Sequence, residues 1–229
     1  MNTPEILYED NHLIAANKSN HDLVQSDGSG EQALENKIKD YIRVKYKKPG
    51  NVFLGVAHRL DRPVSGIVLF ARTSKALARI NDLFRNNEIR KIYWAIVKNK
   101  PERPSGTLVH FIVRNVKQNK SYCSDTEVKN SKRAELSYNL IASSERYHLI
   151  EVELKTGRHH QIRSQLAAIG CPIKGDLKYG FPRSNSDGGI SLHARSLSFT
   201  HPVTKEPVTI VAGPPQEEKL WKEFLKIAP

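Results

Sequence analysis

Apolar residues recur along this chain with two periods, one of about two residues and one of about three and a half. Residues 6–8, 12–16 and 22–25 are short runs parted by the turn formers Asp10-Asn11 and Ser19-Asn20, a pattern that predicts three short strands. After the loop SDGSGEQ the spacing lengthens. Leu34, Ile38 and Ile42 fall at i, i+4 and i+8, which predicts a helix that Lys47, Lys48, Pro49 and Gly50 end. Apolar runs at 52–57 and 67–71 flank the polar segment HRLDRPVSG, residues 58–66. A second helix follows, capped by Thr73 or Ser74, with Ala76, Leu77, Ile80, Leu83 and Phe84 on its core face.

Residues 91–97, KIYWAIV, are β-branched and aromatic and predict a buried strand, and 108–113 predict another. The polar stretch 117–132 reads as an exposed hairpin or loop, and 134–141 and 148–154 as paired strands. Past Thr156-Gly157 the helical period returns with Ile162, Leu166 and Ile169, and Gly170 closes it. Strands at 192–199 and 208–211 precede a last helix carrying Leu220, Trp221, Phe224 and Leu225. Strands come in runs rather than alternating with helices, which predicts an α+β protein with a mainly antiparallel sheet. No linker divides the 229 residues, so one domain spanning 1–229 is expected.

Charge adds a candidate partner. The chain carries 36 Lys+Arg against 24 Asp+Glu, a formal net +12, and the excess is concentrated. Residues 1–40 are net −5, residues 41–133 net +15 and residues 134–229 net +2. A basic middle suits a polyanion such as nucleic acid; a solubilising surface is the plainer alternative. No apolar run approaches the ~18 residues a membrane span needs, and no basic amphipathic helix with aromatic anchors offers a membrane surface. The acidic start MNTPEILYEDNH lacks a signal core, so a cytoplasmic protein is expected. Cys123 and Cys171 are too far apart for a zinc pair, and His159 and His160 are adjacent, so no metal is expected. Phosphate-loop, dinucleotide and nucleophile-elbow motifs are missing, which leaves side-chain chemistry without a cofactor.

Two segments could carry such chemistry. In HRLDRPVSG, Asp61 lies between Arg59 and Arg62 and is one of two acids in residues 41–84. Cationic neighbours would keep it ionised, as a nucleophile or electrostatic group requires, and the same pattern fits a structural Asp–Arg pair. In TGRHHQIRSQ, Thr156 is placed to cap a helix whose first turns hold Arg158, His159, His160, Gln161 and Arg163. Cations there oppose the helix dipole unless an anion is near. Arg163 shares a face with Ile162 and Leu166 and therefore points inward, where it needs a partner; Asp61 is the candidate. Tyr93 alternates with Trp94, so only one of the two can face a given site.

HRLDRPVSG, KIYWAIV, TGRHHQIRSQLAAIGCPIKGDLKYG and LHARSLSFTHPVT, in this order over about residues 50–212, resemble the RluA-type family of RNA pseudouridine synthases. The resemblance implies the pseudouridine synthase fold, with a mainly antiparallel central sheet flanked by helices, and cofactor-free isomerisation of uridine in structured RNA, rRNA or tRNA. It puts the essential aspartate at Asp61, the active-site tyrosine at Tyr93 and the arginine that pairs with the aspartate at Arg163. Around these three, His58, Arg59, Arg62, Arg158, His160, Gln161 and Leu192 are expected against the RNA, with Lys45, Lys47 and Lys48 further out. Val64 and Gln165 depart from the commoner Thr and His of the family, away from the central chemistry. Few residues precede His58, so a monomeric, catalytic-domain-only member without a separate N-terminal RNA-binding domain is expected. A catalytically silent RNA-binding or chaperone protein on this fold is the competing reading; a nuclease or nucleoside hydrolase is a third, disfavoured because acids are not clustered at Asp61.

Overall fold

The computed structural model describes residues 3–28 and 30–228. Strands and helices follow in the order β1 Glu5–Glu9, β2 Leu13–Lys18, α1 Leu34–Lys45, β3 Gly55–Val56, β4 Ser65–Ala71, α2 Ser74–Arg85, β5 Arg90–Val97, β6 Ser105–Asn115, β7 Lys120–Ser124, β8 Lys132–Ser143, β9 His148–Leu154, α3 Gln161–Ala168, a 3-10 turn Leu177–Tyr179, β10 Leu192–Thr200, β11 Pro207–Val211 and α4 Lys219–Ile227. This is an α+β fold. The chain divides into two compact units, Met1–Ile89 with Ala194–Pro214 and Arg90–His193 with Pro215–Pro229.

In the first unit the strand order is β1-β2-β4-β10, with β3 against β4 and β11 against β10. Period-two alternation assigns each side chain to one of two cores. Leu13 and Ala15 of β2 join Ile67, Leu69 and Ala71 of β4 beneath Ala76 and Ile80 of α2. Ile14, Ala16, Val68 and Phe70 turn the other way, onto Leu34, Ile38 and Ile42 of α1. Both faces are covered, which is why β4 is an unbroken apolar run. Thr73 accepts the Ala76 amide at 3.2 Å and starts α2 as a side-chain cap. Gly66 opens β4 with φ 114, and a Cβ there would collide with the Ala194 backbone.

One expected strand is not formed. Residues 22–25 have no ladder; the carbonyls of Leu23 and Val24 instead accept the Leu34 and Glu35 amides, at 2.7 and 3.1 Å. The segment thus satisfies the amides that open α1, which has no side-chain cap.

In the second unit the order is β5-β9-β8-β6-β7, every ladder antiparallel. Trp221 and Phe224 of α4 pack on Trp94, Ile96 and Leu149. Burying each such side chain contributes about 1.5–3 kcal/mol. Trp94 is thereby committed to the α4 face, and Tyr93, its neighbour on β5, points to the other. The polar stretch after β6 is a hairpin whose return strand is β7, in register with Asn115 opposite Lys120. No helix among the described residues is long and apolar enough to cross a membrane.

Candidate active site

In the first unit, Asp61 lies half-buried in the turn between β3 and β4, where its carbonyl accepts the Val64 amide at 3.0 Å. Arg59 and Arg62 flank it, both exposed. Arg62 Nη2 reaches both carboxylate oxygens of Glu31 at 2.9 Å. His58 has a structural job: its Nε2 accepts the Leu69 amide at 3.0 Å, continuing the β3–β4 ladder with a side chain, and its ring lies 4.9 Å from that of Phe84.

Beneath the turn sits Lys18, at the end of β2 and 1% exposed. Its Nζ donates to the carbonyls of Ser19 at 2.7 Å and Arg62 at 2.9 Å, so it clamps the segment that bears Asp61. Burial pulls the Lys18 ammonium down to about 7, against the upward pull of the Asp22 and Asp61 charges. Lys45 is differently placed. Bonds to Glu9 and Tyr41 hold its ammonium above the ordinary lysine range.

In the second unit, α3 begins later and otherwise than the sequence pattern suggests. Its N-cap is His160, in the left-handed region at φ 52 and without a side-chain cap bond. Thr156 does not cap: its Oγ1 accepts the Glu135 amide and donates to Gln161 Oε1, both at 2.8 Å. The same Gln161 oxygen accepts the Arg158 amide at 2.9 Å, and Gln161 Nε2 donates to the Glu135 carbonyl at 3.0 Å. Gln161 therefore folds residues 156–160 back over β8 and turns them into the helix. Arg158 stays exposed, its Nε on the Arg133 carbonyl at 3.0 Å.

Arg163 points inward, as its helical position requires, and is 5% exposed. Its fork closes on Asp176, Nε to Oδ2 at 2.7 Å and Nη2 to Oδ1 at 2.9 Å. The guanidinium carbon lies 5.1 Å from the centroid of Tyr179. The Tyr179 hydroxyl accepts the Ser121 amide at 2.8 Å and lies 3.0 Å from His160 Nδ1. Tyr93 is 8% exposed on β5 and Leu192 is 3% exposed at the start of β10. Burial pushes up both free thiols, Cys123 and Cys171, away from nucleophile character. Among the described residues no three His, Cys, Asp or Glu side chains are grouped to hold a metal.

A family profile described as RNA pseudouridylate synthase matches residues 12–168, which takes in both the Asp61 turn and the start of α3. The chain is also 30% identical over 242 residues to a tRNA pseudouridine synthase C of Vibrio cholerae, covering 96% of this chain and 94% of that one. The chain belongs to the RluA-type RNA pseudouridine synthases. A ribosomal large subunit pseudouridine synthase D of Zymomonas mobilis is 30% identical over 235 residues, 98% of this chain and 73% of that one. The solved human RNA pseudouridylate synthase domain containing 4 superposes with a TM-score of 0.80 at 24% identity, over 97% of this chain and 93% of that one, so the fold is shared.

This pseudouridine synthase thus keeps Asp61, His58, Arg59 and Arg62 on one turn of the first unit. Tyr93, Arg158, His160, Gln161, Arg163 and Leu192 belong to the second. Sequence reasoning missed three residues that the geometry brings forward: Lys18, Asp176 and Tyr179. A lysine closing the apolar run LIAANK was the signal for the first, and an inward arginine one helical stretch before KGDLKYG was the signal for the others.

Proposed function

We propose that this synthase converts uridine to pseudouridine in structured tRNA or rRNA, with Asp61 as the reacting carboxylate, Arg163 as the cation that orients it and Tyr93 as the aromatic that stacks on the uracil. The reading is carried by one observation. A carboxylate, an aromatic and a buried guanidinium stand at the three family motif positions of a chain whose match runs through residues 12–168. Both kinds of RNA are kept because relatives of both kinds match at the same identity.

The residue types fit the reaction. The N1–C1′ bond breaks with its electron pair going to N1, the uracil turns in place, C5 bonds to C1′, and C5 then loses its proton while N1 takes one up. No group leaves and nothing is oxidised, so the chemistry needs only a carboxylate beside the positive charge that develops at C1′. Asp61 either attacks C1′ and is displaced when C5 bonds there, or takes the C2′ proton to give a glycal and returns it as C5 bonds to C1′. Arg163 orients the carboxylate, and Tyr93 keeps the detached base from leaving.

The target uridine is flipped out of the RNA at a cost of a few kcal/mol, which phosphate contacts offset. The exposed Arg59, Arg62 and Arg158 are the cations for those contacts. His58, His160, Gln161 and Leu192 complete the set of residues that meets the RNA. We take residues 1–229 as one catalytic domain, working as a cytoplasmic monomer without metal or cofactor.

The test is purified, EDTA-treated protein on tRNA and large-subunit rRNA transcripts, with pseudouridine read by mass spectrometry. Product on one class names the substrate. No product on either class, or product only with added metal on prefolded RNA, contradicts the proposal.

A further inference from the structure

The catalytic role given to Arg163 depends on a guanidinium held in one orientation, and the structure shows what holds it. Asp176 is 1% exposed and meets Arg163 with both oxygens. Its own backbone is fixed at three points: its amide donates to the Ile173 carbonyl, and its carbonyl accepts the Tyr179 and Phe181 amides. Tyr179 closes the other side with its ring against the guanidinium, and its hydroxyl ties that ring to Ser121 on β7 and to His160 at the head of α3. Lys178 adds bonds from the same turn to the carbonyls of Gln118 and Asn119 in the β6–β7 hairpin.

A buried ion pair is a poor way to gain stability, because desolvating both charges offsets much of their attraction, and an apolar pair of like volume often does as well. What the bidentate fork supplies is direction, since two parallel bonds fix the guanidinium plane as no single bond can. A left-handed, non-glycine residue beside it, His160 at φ 52, is strain that the surrounding bonds maintain.

We propose that Asp176, backed by Tyr179, is a positioning residue for the isomerisation: it sets the plane of Arg163 from within the second unit, before RNA binds. This rests on the function proposed above. Asp176 acts through Arg163 alone, so its loss slows the chemical step and leaves RNA affinity nearly intact.

The experiment is a double-mutant cycle. Wild type, Asp176→Asn, Arg163→Lys and the double variant are compared in single-turnover release of tritium from RNA labelled at uridine C5. Asp176→Asn is expected to lower the rate at saturating RNA by roughly tenfold or more, with half-saturation within about threefold of wild type. The double variant is expected to be no slower than Arg163→Lys. A merely structural Asp176 would give losses that multiply, and a folded Asp176→Asn within about twofold of wild type would overturn the proposal outright. Should Asp176→Asn fail to fold, Asp176→Glu keeps the charge but displaces it, and an unchanged rate there overturns the proposal equally.

A second readout does not require turnover. In ¹⁵N spectra the Arg163 Nε–H is expected to be protected from exchange in the wild type and to lose that protection in Asp176→Asn. Unchanged protection contradicts the hold of Asp176 on Arg163. A wild type without product would sink the function proposed above, while this arm still decides whether Asp176 holds Arg163.

Discussion

Two arginine–carboxylate pairs of the same chemistry lie in the two motif regions. Arg62 meets Glu31 in the first unit with both side chains about half exposed, and Arg163 meets Asp176 in the second at 6% and 1%. The exposed pair sits in high dielectric, is screened by salt and contributes ~0–1 kcal/mol. The buried pair is locked by backbone bonds of Asp176 and by the Tyr179 ring against Arg163, and removing one member strands a charge at a cost of about 3–5 kcal/mol. The difference matches two jobs. Under the roles proposed above, a cation that meets a passing phosphate has to be released easily, whereas one that orients a carboxylate has to stay put.

The largest effect that tests this contrast is at Asp61. Asp61→Asn should remove all pseudouridine formation while RNA affinity stays within roughly tenfold, because the carboxylate acts in the transition state rather than in binding. Normal turnover in a folded variant would take Asp61 out of its role. Next comes Asp176→Asn, expected to lower the unfolding free energy by about 3–5 kcal/mol in urea titrations. A loss under about 1 kcal/mol would make the buried pair no different from the exposed one.

Lys18 gives a pH-dependent prediction. Its folded value is about 7 against an ordinary 10.5, so between those values the unfolded chain binds more protons than the folded one. Stability should therefore rise with pH across that window, by at most about 1.4 kcal/mol per pH unit. Lys18→Met should remove that slope, and a wild type and variant that run parallel from pH 7 to 10 would contradict the buried, clamped lysine.

Smaller again is the effect of Lys47→Ala with Lys48→Ala, two exposed side chains after α1. Losing two phosphate contacts flattens the log–log salt dependence of RNA binding by about one to two. An unchanged slope would place the RNA elsewhere. Smallest is Glu31→Gln, expected to shift stability by under about 1 kcal/mol and less in high salt; a loss as large as that of Asp176→Asn would erase the comparison.

Much of the fold was legible because it depends on local period. The unbroken run of β4 and the stripe Leu34, Ile38, Ile42 each report which faces are covered, and the structure covers them. Residues 22–25 misled because D-L-V-Q is a short apolar run between polar turn formers, while its carbonyls are used by helix amides eleven residues on. Thr156 misled for a related reason: a threonine before a helical pattern reads as a cap, yet Gln161 recruits it into a loop and the helix starts later. For the candidate site, residue types and motif spacing marked Asp61, Tyr93 and Arg163 as candidates, and the family resemblance supplied their expected roles. That Arg163 points inward followed from its helical spacing. That Asp176 grips it did not, because any acid in the chain is a candidate until the turn at residues 173–181 is folded.

The central claim, that this synthase modifies RNA through Asp61, is tested most directly by mapping pseudouridine in total RNA from cells with the gene, without it, and with it restored as wild type or Asp61→Asn. The account predicts at least one site that disappears on deletion and returns only with the wild type. A site that returns equally with Asp61→Asn would contradict it.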